Sequence, residues 1–384
     1  MRASAAALLL AAAAAWGCAS SPGSPEPTTH ALAAPPTAAA RPSTSRRVAA
    51  LALGFEHGCA ALADGSLHCW GSNRWHQITG ELQRYPRPVR VEGIGPVLAA
   101  AAGTNGTCVA ERGGDVRCWG GAFASRTRPQ YERPFVVAGA AKLRTLSMRG
   151  QHACGLGEEG RVFCWGDNDE GQLGDATQED RDDARPVTGL SGVVAVSAGM
   201  RSSAAVGAAG EVWIWGDDHA AAAAPPTDSP KGIPTLVPRR VEGIDDAVEI
   251  ALTNTMGCAR KRDGRVACWG DLPAGRLVYE RSTSPVVVEG LADVRQIVAG
   301  AQHVCALRAD ATVACWGIVP GWHVWRATPM QIEGVSGAAA IAAGSFHQCA
   351  LLRDGEVLCW GDDGEGQLGD GERAVMSRPV QLRW

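Results

Sequence analysis

One hairpin is written seven times in this chain. The pair Trp-Gly begins at Trp70, Trp119, Trp165, Trp215, Trp269, Trp316 and Trp360, at a mean spacing of about 48 residues. A repeat of that length, holding several short strands per copy, is the sequence form of a β-propeller in which each copy supplies one blade. The local pattern agrees. In CALLRDGEVLCW two apolar runs flank Arg353-Asp354-Gly355, a three-residue turn whose glycine takes the left-handed position. Cys349, Leu351, Val357 and Cys359 fall on one face of the hairpin, and Ala350, Leu352, Leu358 and Trp360 on the other. Both faces are apolar, as in a sheet covered on both sides. Blades stacked around an axis give that double cover, whereas a sandwich leaves one face of each sheet in water. The reading is all-β, a seven-bladed propeller over residues 47–384.

Ahead of each hairpin runs an extended stretch such as VRQIVAGAQH. Before that comes a Pro-led segment, of which RPVRVEG from Arg87 is the first and RPVQLRW, Arg378 to Trp384, the last. Pro-led segments and hairpins are equal in number but out of phase. The first hairpin has no such strand before it, and the last such strand has no hairpin after it. The economical expectation is that the C-terminal strand joins the first blade and closes the ring, removing edges that would invite aggregation.

Twelve of the thirteen cysteines form six pairs of constant spacing: Cys59 and Cys69, Cys108 and Cys118, Cys154 and Cys164, Cys258 and Cys268, Cys305 and Cys315, Cys349 and Cys359. Each pair sits directly across its hairpin, within disulfide range. In the fourth copy both partners are replaced together, by Ala204 and Ile214. Concerted loss is what a bond predicts. The rival ligand set adds His57, His152, His303 and His347, each two residues before a cysteine, but a copy then offers at most three ligands. No metal is expected, and these histidines are read as hydrogen-bonded at strand starts. The run DNDEGQLGDATQE from Asp167 imitates a calcium loop, yet its glycine comes at position five instead of six and Gln178 stands where the last ligand should be. In Gly-Gln-Leu-Gly, Leu173 and Leu368 are read as tucked between blades.

The N-terminus, MRASAAALLLAAAAAWGC, carries Arg2 and then an apolar run from Ala3 to Ala15, the form of an export signal. Residues 1–18 are therefore read as a signal peptide with a lipobox whose Cys18, the thirteenth cysteine, is lipidated. Trp16 departs from the small residue usual there. Residues 19–46, rich in Pro, Ala, Ser and Thr, hold too little apolar surface to fold and read as a tether. Export places the chain at a bacterial outer membrane or cell surface, or otherwise in the periplasm or medium. A net charge of −4 from 36 basic and 40 acidic residues gives no footprint for nucleic acid.

The unit H-x-C-A-L-x-x-D-G-x-V-x-C-W-G-x-N-x-x-G-Q-L-G, best seen from His347 and from His152, resembles the regulator of chromosome condensation repeat. The resemblance implies a seven-bladed propeller with a shared closing blade. The family's namesake exchanges guanine nucleotide in the nucleus, an activity that an exported chain has no occasion for. The context is similar to that of the secreted propeller-type β-lactamase inhibitory protein, which binds its target through one face of the ring. That implies a monomeric, non-enzymatic module with an unidentified protein partner and no cofactor. Function is sought where the copies differ: Trp75 and His76 in SNRWHQITG, and Trp322, His323 and Trp325 in GIVPGWHVWRATP, tryptophan beside arginine being the make-up of binding hot spots. The alternative is a carbohydrate-binding or carbohydrate-processing propeller, with Asp167, Asp169, Asp362 and Glu365 as candidate acid and base. That chemistry needs two carboxylates about 5 to 9.5 Å apart in one pocket.

Overall fold

The computed structural model describes residues 47–121, 132–217, 234–274, 278–321 and 324–384. The signal, the tether, the Ala-rich insertion from His219, and Trp322 with His323 lie outside them. The described residues form seven four-stranded antiparallel sheets, over 48–90, 97–136, 145–186, 193–241, 247–287, 294–331 and 338–381. Each sheet is a meander of consecutive strands. The first strand of every blade lines the axis, the second and third are the hairpin read from the sequence, and the Pro-led strand is outermost. Proline suits that edge, where no neighbouring strand needs its missing N–H. The six cysteine pairs face each other across their hairpins and are joined as disulfides, with Cα atoms 4.0 to 4.1 Å apart. In the fourth blade Ala204 faces Ile214 in the same register.

The apolar faces mesh in one repeating way. The disulfide face of each blade packs against the Trp face of the next. Cys59 and Cys69 meet Trp119, Cys108 and Cys118 meet Trp165, and the pattern continues until Cys305 and Cys315 meet Trp360. Where the fourth blade lacks a bridge, Ile214 and Ala204 supply the apolar volume against Trp269. All seven Trp-Gly tryptophans are fully buried, and truncating one such ring to Ala costs about 3 to 5 kcal/mol. The glycine that follows each has no substitute. Gly71 has φ +100°, and a Cβ there would lie 2.4 Å from the Glu56 carbonyl oxygen.

The ring does not close by strand exchange. The C-terminal strand, Met376–Gln381, pairs with the third strand of its own blade, Val357–Gly361, through Leu358 with Gln381 and Gly361 with Met376. The first blade is complete without it: Tyr85–Arg90 pairs with Leu67–Gly71. The Pro-led strand thus belongs to the hairpin before it, so hairpins and outer strands are in phase. Closure comes from the same packing as every other joint. Cys349, Cys359, Leu368 and Leu382 of the last blade enclose Trp70, Ala60 and Leu62 of the first. Two backbone hydrogen bonds cross the seam, Ser345 N to Gly54 O and Gly371 N to Pro86 O.

Candidate functional site

The loops that join third to outer strands lie on the same face of the ring as the turns that join first to second strands. In blades one, three and seven this loop is a latch onto the next blade. An Asn or Asp side chain opens it: Asn73, Asn168 and Asp363 each accept, through Oδ1, the backbone N–H five residues on, at Ile78, Leu173 and Leu368. The turn drives those three side chains completely out of water. It also aims the carbonyl of the preceding glutamine at the neighbour's tryptophan. Trp119 Nε1 donates to Gln77 O, Trp215 Nε1 to Gln172 O and Trp70 Nε1 to Gln367 O, at 2.8 to 3.0 Å. The Gly-Gln-Leu-Gly motif is therefore a clasp, as its burial pattern suggested.

The strand-start histidines belong to the same network. His57 Nε2 lies 3.0 Å from Thr107 Oγ1, whose own proton goes to Gln77 O, so the ring is the donor. His152, Ser203 and Gln172 repeat the arrangement between blades three and four. His303 accepts from Gln348 Nε2 of the last blade. Each histidine thus meets the residue one place past its own equivalent in the next blade. Where a blade has no histidine there, at Gly106, Ser202 and Met256, the facing residue is Ala153, Gly257 or Val304, with no polar side chain. His347 is the exception. It faces Gly58, finds no side-chain partner and is left to the backbone at His57. Burial drives His57 and His303 down to about 3 and His152 and His347 to about 4, so all four are neutral. They are structural groups spread around the ring, and they converge on no metal position.

The acidic candidates fall into two sets, one in blade three and one in blade seven. Glu365 accepts from both Arg74 and Arg84 of the first blade. In blade three, Asp167, Asp169 and Asp180 bring carboxylate oxygens within 4.8 Å of one another, with Asp169 and Asp180 exposed. Blades three and seven are three places apart, so the two acidic sets share no pocket. Asp363 is raised to about 7 by burial and by Asp370, but it is sealed inside its latch, accepting from Leu368 N and Ala374 N.

Of the tryptophans singled out in the degenerate loops, Trp75 and Trp325 lie on the described part of the ring and behave oppositely. Trp325 is 9% exposed, its ring edge-on to Tyr279 of the neighbouring blade at 4.3 Å, and fills the joint between blades five and six. Trp75 is 55% exposed. Its equivalents in the other latches are Glu170, which pairs with Arg201 of the next blade, and Glu365. Trp75 instead lies against Gly121 of the second blade, where a Cβ would come within 3.1 Å of the ring. His76 takes the left-handed conformation, φ +59°, that glycine occupies in the sister loop at Gly171, and donates from Nδ1 to Gly80 O. Its other nitrogen is 3.8 Å from Glu132. In the same loop, Arg74, Leu82, Gln83 and Arg84 line a surface hollow of about 400 Å³, Leu82 being 66% exposed. Sequence reasoning missed this second half of the patch. Its signal was an apolar Leu82 in a stretch otherwise polar. Trp75 and Trp325 share a face of the ring but stand two blades apart, with blade seven between.

Comparison with known proteins agrees with this geometry. A family model of the regulator of chromosome condensation repeat matches residues 48–77, 294–318 and 338–367, and a second model of that repeat matches 159–206. The human X-linked retinitis pigmentosa GTPase regulator is 32% identical over 134 residues, 32% of this chain and 13% of that protein. The chain thus spans a small part of that relative. Human WBSCR16 superposes with a TM-score of 0.71 at 20% identity, covering 83% of this chain and 94% of that one. Prp20p of Saccharomyces cerevisiae, a protein characterised for binding to Gsp1p and histones, does so with a TM-score of 0.71 at 18% identity over 88% of each chain. The matched segments fall on the hairpins and clasps described above, and the chain carries repeats of the regulator of chromosome condensation type.

Proposed function

We propose that this propeller is a non-enzymatic interaction module, exported to the bacterial cell envelope and held there by lipidated Cys18 and the 19–46 tether, that engages a protein partner through the Trp75 surface. The observation that carries the reading is the half-exposed Trp75 ring, set against Gly121, in the same loop whose Arg74, Leu82 and Arg84 line a hollow towards blade seven. A rigid aromatic beside guanidinium groups and an exposed aliphatic is the composition of a binding hot spot. Two arginines share the carboxylate of Glu365, while Glu81 stands on Gln83 and Glu132 near His76, so the surface carries both signs of charge. Six disulfides support an oxidising compartment. Nucleotide exchange and histone binding, properties of distant relatives, are not carried over.

Site-specific photo-crosslinking in the native envelope tests this. A photoreactive residue at position 75 or 82 should capture one protein partner, and one at Asp354, in a hairpin turn on the opposite face, should not. Trp75→Ala should weaken binding of the captured partner at least tenfold, about 1.4 kcal/mol or more. Capture only through position 354, or full affinity in Trp75→Ala, would place the interface elsewhere.

A further inference from the structure

The first strands of the seven blades enclose an axial cavity of about 370 Å³. Half of its wall is Ala, Gly and Ser and most of the rest is larger apolar residues, with two charged side chains, Arg149 and Glu249. Glu249 is already engaged, accepting from Arg260 Nε at 2.8 Å and from Ile297 N at 3.1 Å. Arg149 is not matched in this way. It ends the first strand of blade three, Thr145–Arg149, and reaches across the axis to blade six, where Nη1 donates to Ala299 O at 2.6 Å.

The other two nitrogens, Nε and Nη2, are buried and have no partner among the described residues. They are the two donors on one edge of the guanidinium, the edge that grips a carboxylate or phosphate with two parallel N–H···O bonds. Arg149 as a whole is part-buried, and covered donors left unmade carry a cost that an anion at that edge removes. No carboxylate supplies that charge: burial alone acts on Arg149, lowering it to about 10, so it remains cationic at neutral pH. Its charge reaches the ring of His303, which it helps hold neutral. Thr104 and Ser345, just past the ends of the first strands of blades two and seven, add hydroxyl groups to the cavity wall.

We propose that the axial cavity is a binding site for a small oxyanion, a carboxylate or a phosphate, held by the Nε–Nη2 edge of Arg149. The volume fits a small-molecule ligand, and the largely small or apolar side chains of the wall leave the guanidinium as the group that fixes its orientation. This site is independent of the Trp75 surface and stands whether or not that surface binds a protein.

Isothermal titration calorimetry of the oxidised full-length chain, at constant ionic strength, tests it with inorganic phosphate and acetate in separate runs. At least one should bind saturably at one site per chain, and which one does assigns the ligand class. Arg149→Gln should abolish that binding. Arg149→Lys, which keeps the charge and loses the paired edge, should weaken it at least about tenfold, and it decides the matter if the Gln variant fails to fold. The proposal is overturned if neither anion binds saturably to the wild type, or if binding survives unchanged in the variants.

Discussion

Lowering the pH from 7 to 4.5 should strip this propeller of a large part of its stability, and the four buried histidines are the reason. In the unfolded chain each titrates near its ordinary value of about 6.5, whereas in the fold His57 and His303 are held at about 3 and His152 and His347 at about 4. Above pH 6.5 both states are neutral and the histidines contribute nothing. Below it the unfolded state binds protons that the folded state refuses, so stability falls by about 1.4 kcal/mol per pH unit for each ring. At pH 4.5 that is about 2.7 kcal/mol apiece. Asp363 and Glu249 act oppositely, because burial raises them and the folded state then gains protons as pH falls. Asp363 offsets about 3 kcal/mol and Glu249 works in the same direction, so the net loss expected is several kcal/mol. Urea unfolding at a series of pH values measures it. A midpoint that stays level from pH 7 to 4.5 would contradict the buried, neutral histidines. Replacing His347, the ring without a side-chain partner, should remove its share of the acid sensitivity at the least expense of hydrogen bonding.

Reduction should be the other large effect. Each disulfide closes a loop of about eleven residues and stabilises by about 2.5 to 3 kcal/mol in the chain-entropy estimate. Six of them sum to an upper bound of about 15 to 18 kcal/mol, more than the whole stability of an ordinary domain. The bridges also form the face that receives each neighbour's tryptophan, so their loss loosens six of the seven joints together. A calorimetric scan with excess reductant should show the melting temperature lowered by more than about 15 °C. The joint between blades four and five, built on Ala204 and Ile214, has no bridge to lose. Hydrogen exchange should find it the least changed. Equal melting with and without reductant would mean that the pairs add nothing to the fold.

What the chain displayed openly was whatever it repeats. The hairpin, its register, the cysteine pairs and the burial of Leu173 and Leu368 follow from local alternation and spacing, which seven copies make unmistakable. The phase of the blades was not legible in that way. A connection of six residues, 91–96, separates the first outer strand from the next blade, against thirteen, 72–84, back to its own hairpin. Sequence proximity therefore favoured the wrong partner. Physically the short connection suffices, since six extended residues reach about 20 Å and a four-stranded blade is about 14 Å wide.

The histidine network was partly legible: Thr107, Ser203 and Gln348 are polar where the preceding blade has a histidine, while Ala153, Gly257 and Val304 follow blades without one. Trp75 and Trp325 looked alike in sequence because each stands in a loop that has lost the repeat motif. Only the neighbour distinguishes them, a bare glycine under Trp75 and a tyrosine against Trp325. Arg149 gave no signal at all, since its partner lies three blades away in the ring.

Mass spectrometry of the protein recovered from its own cells, alkylated without reduction, tests the exported and oxidised ring most directly. All twelve cysteines from Cys59 to Cys359 should resist alkylation, and proteolysis should link each pair within its own hairpin, Cys59 to Cys69 through Cys349 to Cys359. Six or more alkylated thiols among the twelve, or links between different blades, would contradict both the stapled hairpins and the oxidising compartment that the proposed function requires.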